Sequence, residues 1–197
     1  MQLKVEALEE AQEGIAQKER LERELELARQ VQQSMLPRTF PSVPGLAFAA
    51  ANIPARHVGG DFYDVIRLDD ERVGLVIADV SDKGMPAALY MALARSLILA
   101  EARQYTSPAA VLTNVNQLLL ELGEQDMFVT VFYGVVDCDT ERLTYARAGH
   151  DRPFLVRDGT VTTLGGRGMA LGLFDNTLFN VSEEELTLRP GDRLVLY

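Results

Sequence analysis

What most constrains this chain is the order of its secondary-structure signals: strand-like runs, two consecutive helical stretches, then strand-like runs again. From Leu46 the first block reads "LAFAAANI", "GDFYDVIRL" and "RVGLVIADV", apolar or alternating stretches bounded by turn residues. Helical patterns follow at about 86–103 and at 108–122. Ser107 is placed to cap the second, with Pro108 at its first position. After Asp126 come "MFVTVFYGVVD", "RLTYARAG", "PFLVRDG", "TVTTLG", "LFNVSEEELTL" and "DRLVLY", again strand-like. Parallel βαβ units would alternate helix with strand, so the block order predicts a layered α+β fold.

Ahead of this region, residues 2–36 contain no proline and a single glycine, Gly14, in a Glu-, Gln-, Leu-, Arg- and Ala-rich stretch. That composition predicts one long helix. Leu21, Leu25, Ala28, Gln32 and Met35 follow a 4-3-4-3 spacing suited to a dimerising seam, while a helix packed on its own domain is the plainer alternative. Pro37, Pro41 and Pro44 then end the helix. The expected organisation is a helical linker over 1–36 and a globular domain over 37–197.

Composition narrows the partners. The 197 residues are 47% hydrophobic, enough for a real core, and the formal charge of −10 argues against a nucleic-acid partner, which is met by basic surfaces. Cys138 is the single cysteine, so no intrachain disulfide or thiolate cluster is available, which fits a reducing, cytoplasmic setting. No apolar run is long enough to predict membrane insertion.

Six aspartates fall within residues 58–84. Asp61 follows Gly59 and Gly60, which let the backbone bend and approach a bound group closely. Asp79 ends the apolar run Val73 to Ala78 and opens the turn "DVSDKG". A half-desolvated carboxylate at a strand end is costly unless a cation or several donors satisfy it. If the two strands pair, Asp61 and Asp79 converge, and a shared Mg²⁺ or Mn²⁺ would turn their repulsion into attraction. Turn caps in a solvated loop are the competing reading.

The stretches "PARHVGGDFYDV" (54–65), "GLVIADVSDKGMPAALYMALARSLI" (74–98) and "YARAGHDRPFLV" (145–156) resemble the SpoIIE/RsbU branch of the PPM metal-dependent serine/threonine phosphatases. "LARQVQQSMLP" (27–37) resembles the linker that precedes the catalytic domain in that branch. The resemblance implies an αββα sandwich of two antiparallel sheets flanked by helices, behind the long N-terminal helix. It implies two Mn²⁺ or Mg²⁺ ions, with Asp61 and Asp79 as ligands and catalytic groups and Val80 lending a backbone carbonyl. The implied reaction is attack of metal-activated water on phosphoserine or phosphothreonine. The implied substrate is a phosphorylated STAS-domain anti-anti-sigma factor in a partner-switching pathway.

Further aspartates that the family carries after a strand like "DRLVLY" are absent before Tyr197, so the domain is expected to be C-terminally incomplete and metal binding weakened. A catalytically inactive, dimeric signalling module of the same fold is therefore the alternative. A diguanylate cyclase, suggested by "GGD", is set aside because Phe62-Tyr63-Asp64 follow and "DVSDKG" has no counterpart there. Asp64, Asp82 and Gly60 are expected to support the ligands, and Asp69-Asp70 to form a solvated hairpin turn. Arg56 is a candidate for contact with the substrate phosphate, and His150 for a structural or substrate-proximal role. Met85, Leu89, Met91, Leu93 and Leu97 are expected to form the buried stripe of the first internal helix. That helix, following the Asp79 turn, is expected to set the position of Asp79.

Overall fold

The computed structural model describes residues 2–54, 57–124 and 126–197, with side chains described from residue 12 onward. A long helix α1 (Gln2–Met35) precedes β1 (Phe62–Arg67), β2 (Arg72–Val80), α2 (Met85–Glu101) and α3 (Pro108–Leu122). Six more strands follow: β3 (Val129–Asp137), β4 (Arg142–Ala148), β5 (Phe154–Arg157), β6 (Thr160–Thr163), β7 (Glu183–Thr187) and β8 (Arg193–Val195). They form two antiparallel sheets, ordered β1–β2–β3–β4–β7 and β6–β5–β8. The α+β expectation holds, and Ser107 caps α3 by accepting from the Ala110 N–H with Pro108 next in line.

Two hydrophobic layers follow from the period-2 alternation of the strands. Val76, Ala78 and Val80 of β2, with Val129, Val131 and Tyr133 of β3, face α2 and α3 in the larger core. Leu75 and Ile77 point the opposite way, with Phe132, Leu143 and Tyr145, toward the smaller sheet and its Leu155 and Leu194. Helices thus cover one face of the five-stranded sheet and the second sheet covers the other. Among the described residues no helix covers the three-stranded sheet, and none is long and apolar enough to cross a membrane.

Two local expectations are corrected. "LAFAAANI" forms no strand; apart from a bridge between Val43 and Leu46 it is irregular. Its alanines offer little surface for a pleated sheet to pack on, and Phe48 turns instead to Phe40, which also meets Tyr63. The buried stripe of α2 is Ala87, Tyr90, Met91, Ala94 and Ile98, whereas Leu89 is 67% and Met85 39% exposed. The helix is apolar nearly all round, so spacing alone left its facing undetermined.

The last turns of α1 lie against the domain. Gln32 is buried, Leu25 and Ala28 are half-buried, and Leu21, Leu27 and Val31 are exposed. At the β1–β2 turn, Asp69 accepts from the N–H groups of Glu71 and Arg72 and pairs with the Arg72 guanidinium, while Asp70 is exposed.

Candidate active site

The antiparallel register of β1 and β2 pairs Phe62 with Ala78, so one step further Asp61 stands opposite Asp79. Asp79 in turn pairs with Thr130 of β3. Alternation puts Asp61, Asp79 and Thr130 on the face turned to the second sheet, at the edge where the sheets part. The row continues through the Thr130 hydroxyl, which lies 2.8 Å from His150 Nδ1 and donates weakly to the Asp79 carbonyl at 3.4 Å.

The pair is electrostatically loaded. Partial burial, then a hydrogen bond with Asp61 and its charge, push the Asp79 carboxyl from 3.8 up to about 6. Asp151 adds to the rise and Lys83 opposes it. Two carboxylates in hydrogen-bond contact share a proton or a cation; ionised together without either, they repel. Mg²⁺ is commonly held by one or two carboxylates, with water and substrate phosphate completing its shell, so this donor pair fits such an ion. Among the described residues no group of three or more His, Cys, Asp or Glu side chains comes close enough to hold a metal alone.

Backbone packing holds the pair in place. A Cβ added at Gly60 would stand 2.8 Å from Val80 Cβ and 3.0 Å from the Val80 carbonyl oxygen. Only glycine permits this approach, which brings the chain before Asp61 onto the chain after Asp79. The Val80 carbonyl is thereby beside the aspartate pair. The Asn52 side-chain amide donates to the Asp61 carbonyl at 2.8 Å. Gln32 of α1 grips Gly59 twice, donating to its carbonyl at 2.6 Å and accepting from its N–H at 3.1 Å.

The other candidates are dispersed. Asp64, expected to support the ligands, occupies the opposite face of β1. It is buried there, receives the Arg95 guanidinium of α2 at 2.5 Å, and accepts from the Val65 N–H. Asp82 has φ of 72° and caps its own turn by accepting from the Lys83 N–H at 2.8 Å. It still lines a cavity of about 240 Å³ together with Gly60, Asp61, Asp79 and Lys83. Arg56 lies outside the described residues. His150 is buried, and burial holds its imidazole below the usual pKa, which favours the neutral ring.

Sequence reasoning missed Asp151. It lines a second cavity, of about 510 Å³, with Asp61, Asp79, Thr130 and His150. Its turn is held by Arg147, which donates to the carbonyls of His150 and Gly166. The signal was available in "AGHD": an acid in the turn that follows the strand-like run "RLTYARAG", as Asp61 and Asp79 also lie at strand termini.

The family described as Stage II sporulation protein E (SpoIIE) matches residues 69–197. The phosphoserine phosphatase RsbU of Bacillus subtilis is 32% identical, over 93% of this chain and 54% of RsbU. The chain spans about a third to about half of the curated relatives it matches. The SiaA-PP2C domain of Pseudomonas aeruginosa shares the fold with a TM-score of 0.73 at 21% identity, covering 90% of this chain and 71% of that one. RsbX, in a crystal structure in complex with magnesium, aligns with a TM-score of 0.56 at 16% identity, over 71% of this chain and 65% of that one.

Proposed function

We propose, because the chain belongs to the SpoIIE family, that it is the catalytic region of a divalent-metal-dependent protein serine/threonine phosphatase. The observation that carries this reading is the Asp61–Asp79 pair, set opposite one another by the register of β1 and β2 and mutually destabilised without a cation. Asp61, Asp79 and the Val80 carbonyl would hold the ion, Mg²⁺ or Mn²⁺, and the family resemblance implies a second ion beside it. A bound cation supplies a water nucleophilic near neutral pH and neutralises charge on the phosphoryl oxygens. Gly60 keeps Asp61 and Val80 at working distance. Without a cation the pair keeps a proton below about pH 6 that a metal must displace, so the Mg²⁺ concentration needed for activity rises below that pH.

The substrate class we infer is a phosphorylated STAS-domain protein of a bacterial partner-switching pathway. RsbU, named a phosphoserine phosphatase, supports it. We also infer a homodimer through α1, supported by the exposed seam residues Leu21 and Met35, while Gln32 of the same seam is taken up by Gly59 of its own domain. The deciding experiment measures Mn²⁺- or Mg²⁺-dependent phosphate release from a phosphoserine STAS-domain protein by the full-length protein. Asp61→Ala and Asp79→Ala are compared with the parent. Loss in both variants is expected; equal rates in all three would remove the ligand assignment. A parent protein that binds its partner yet releases no phosphate would favour the inactive signalling module.

A further inference from the structure

We propose that Lys83 is a phosphate-binding cation of this site, receiving the non-bridging oxygens of a phosphoserine or phosphothreonine ester; this rests on the phosphatase reading. Hydrolysis at an aspartate pair sets an incoming dianion against fixed negative charge. A cation on the wall of the site would offset that repulsion and orient the phosphoryl group. Of the described residues around the cavity that holds Asp61 and Asp79, Lys83 is the only lysine or arginine. Among the described residues, the second cavity touching the pair has none.

The local geometry gives Lys83 no structural duty that would account for it. Its side chain is exposed, and among the described residues it takes part in no ion pair. It directly precedes Gly84, the N-cap of α2, whose end carries no side-chain cap. Helix dipoles disfavour a cation there, so this lysine works against the helix it introduces. Its backbone is fixed on both sides by left-handed residues, Asp82 at φ 72° and Gly84 at φ 80°. The Asp82 carboxylate accepts from the Lys83 N–H and closes the turn. Only the four-carbon stem is free, suited to following a phosphoryl group as it enters and leaves.

A bland role remains, in which Lys83 merely neutralises Asp79, and the two roles differ in sign. A charge neutraliser repels the metal, so its removal lowers the cation concentration needed and leaves phosphate affinity alone. A phosphate-binding lysine, once removed, weakens phosphate and phosphoprotein together. The test uses the full-length protein in saturating Mg²⁺, with Lys83→Met and Lys83→Arg beside the parent. Inorganic phosphate binding is measured by calorimetry and KM on the phosphorylated protein by phosphate release. Lys83→Met is expected to weaken both about tenfold with an unchanged melting temperature, and Lys83→Arg to recover most of the loss. Unchanged phosphate affinity, or a shifted Mg²⁺ midpoint alone, overturns the proposal. A parent that binds phosphate through Lys83 but hydrolyses nothing would sink the phosphatase reading and leave the anion site standing.

Discussion

Without metal, the aspartate pair should cost the fold stability in a pH window set by Asp79. Its carboxyl titrates at about 6 in the folded chain against 3.8 ordinarily. Between those values the native state keeps a proton that the unfolded state has released, so stability falls as pH rises from about 4 to about 6 and stays lower above. The full shift would correspond to roughly 3 kcal/mol. Asp79 is largely exposed, and solvent screening reduces that to about 1 kcal/mol. Asp79→Asn removes the charge while keeping the shape. At pH 7 and without metal, the variant should melt about 2–4 °C above the parent, and at pH 4 the two should coincide. Added Mg²⁺ should raise the melting temperature of the parent and leave the variant unmoved. Scanning calorimetry at pH 4, 5, 6 and 7, with chelator and then with Mg²⁺, resolves all three expectations. A variant no more stable than its parent at pH 7, or a difference that ignores pH, would refute the reasoning.

Further outcomes follow from packing. Gly60→Ala drives a Cβ into Val80 and should cost about 1–3 kcal/mol in urea denaturation, with weakened Mg²⁺ binding. Gly165→Ala, with nothing within 4 Å of the new atom, should be near neutral, and equal effects would contradict the close approach. Arg95→Met leaves the buried Asp64 carboxylate unpaired and should cost about 3 kcal/mol. Most of that should return when Asp64→Leu is added, and a single variant as stable as its parent would disprove the pairing. Gln32→Ala removes both hydrogen bonds to Gly59 and should cost about 1 kcal/mol, with faster amide exchange at Gly59. Unchanged exchange there would mean that α1 does not hold the loop.

How far the sequence could be read depended on which signal each residue gave. The strands β1 and β2 and the Asp61–Asp79 juxtaposition were legible because strand alternation and hairpin pairing are short-range rules. Motif resemblance added the family. The facing of α2 was not legible, since an all-apolar helix has no contrasting stripe to orient it. Asp64 misled for a related reason: it lies three residues from Asp61 in the chain, and an odd offset along a strand sends the side chain to the other face. Its partner Arg95 is 31 residues away on a different element, a pairing no local pattern specifies. Asp151 was passed over because its turn meets the aspartate pair only once β3 and β4 are laid beside β2.

The two aspartates are held by unlike means, and that asymmetry decides where control of the site can enter. Asp79 lies inside a ladder, paired with Thr130 of β3, in the strand that makes the sheet's most extensive pairing. The α2 helix packs on the opposite face of that strand, so the expectation that α2 sets Asp79 assigns to the helix what the ladder already does. Asp61 precedes the edge strand and lies outside the ladder. Its backbone is placed by Asn52 from an irregular segment, by the contact of Gly60 with Val80, and by the grip of Gln32 on Gly59. Local stability is lowest where ladder hydrogen bonds run out, so the free energy needed to move Asp61 is smaller than that needed to move Asp79. Among the described residues, the hydrogen bonds that α1 makes beside the site end on Gly59, two residues before Asp61, and none ends on Asp79.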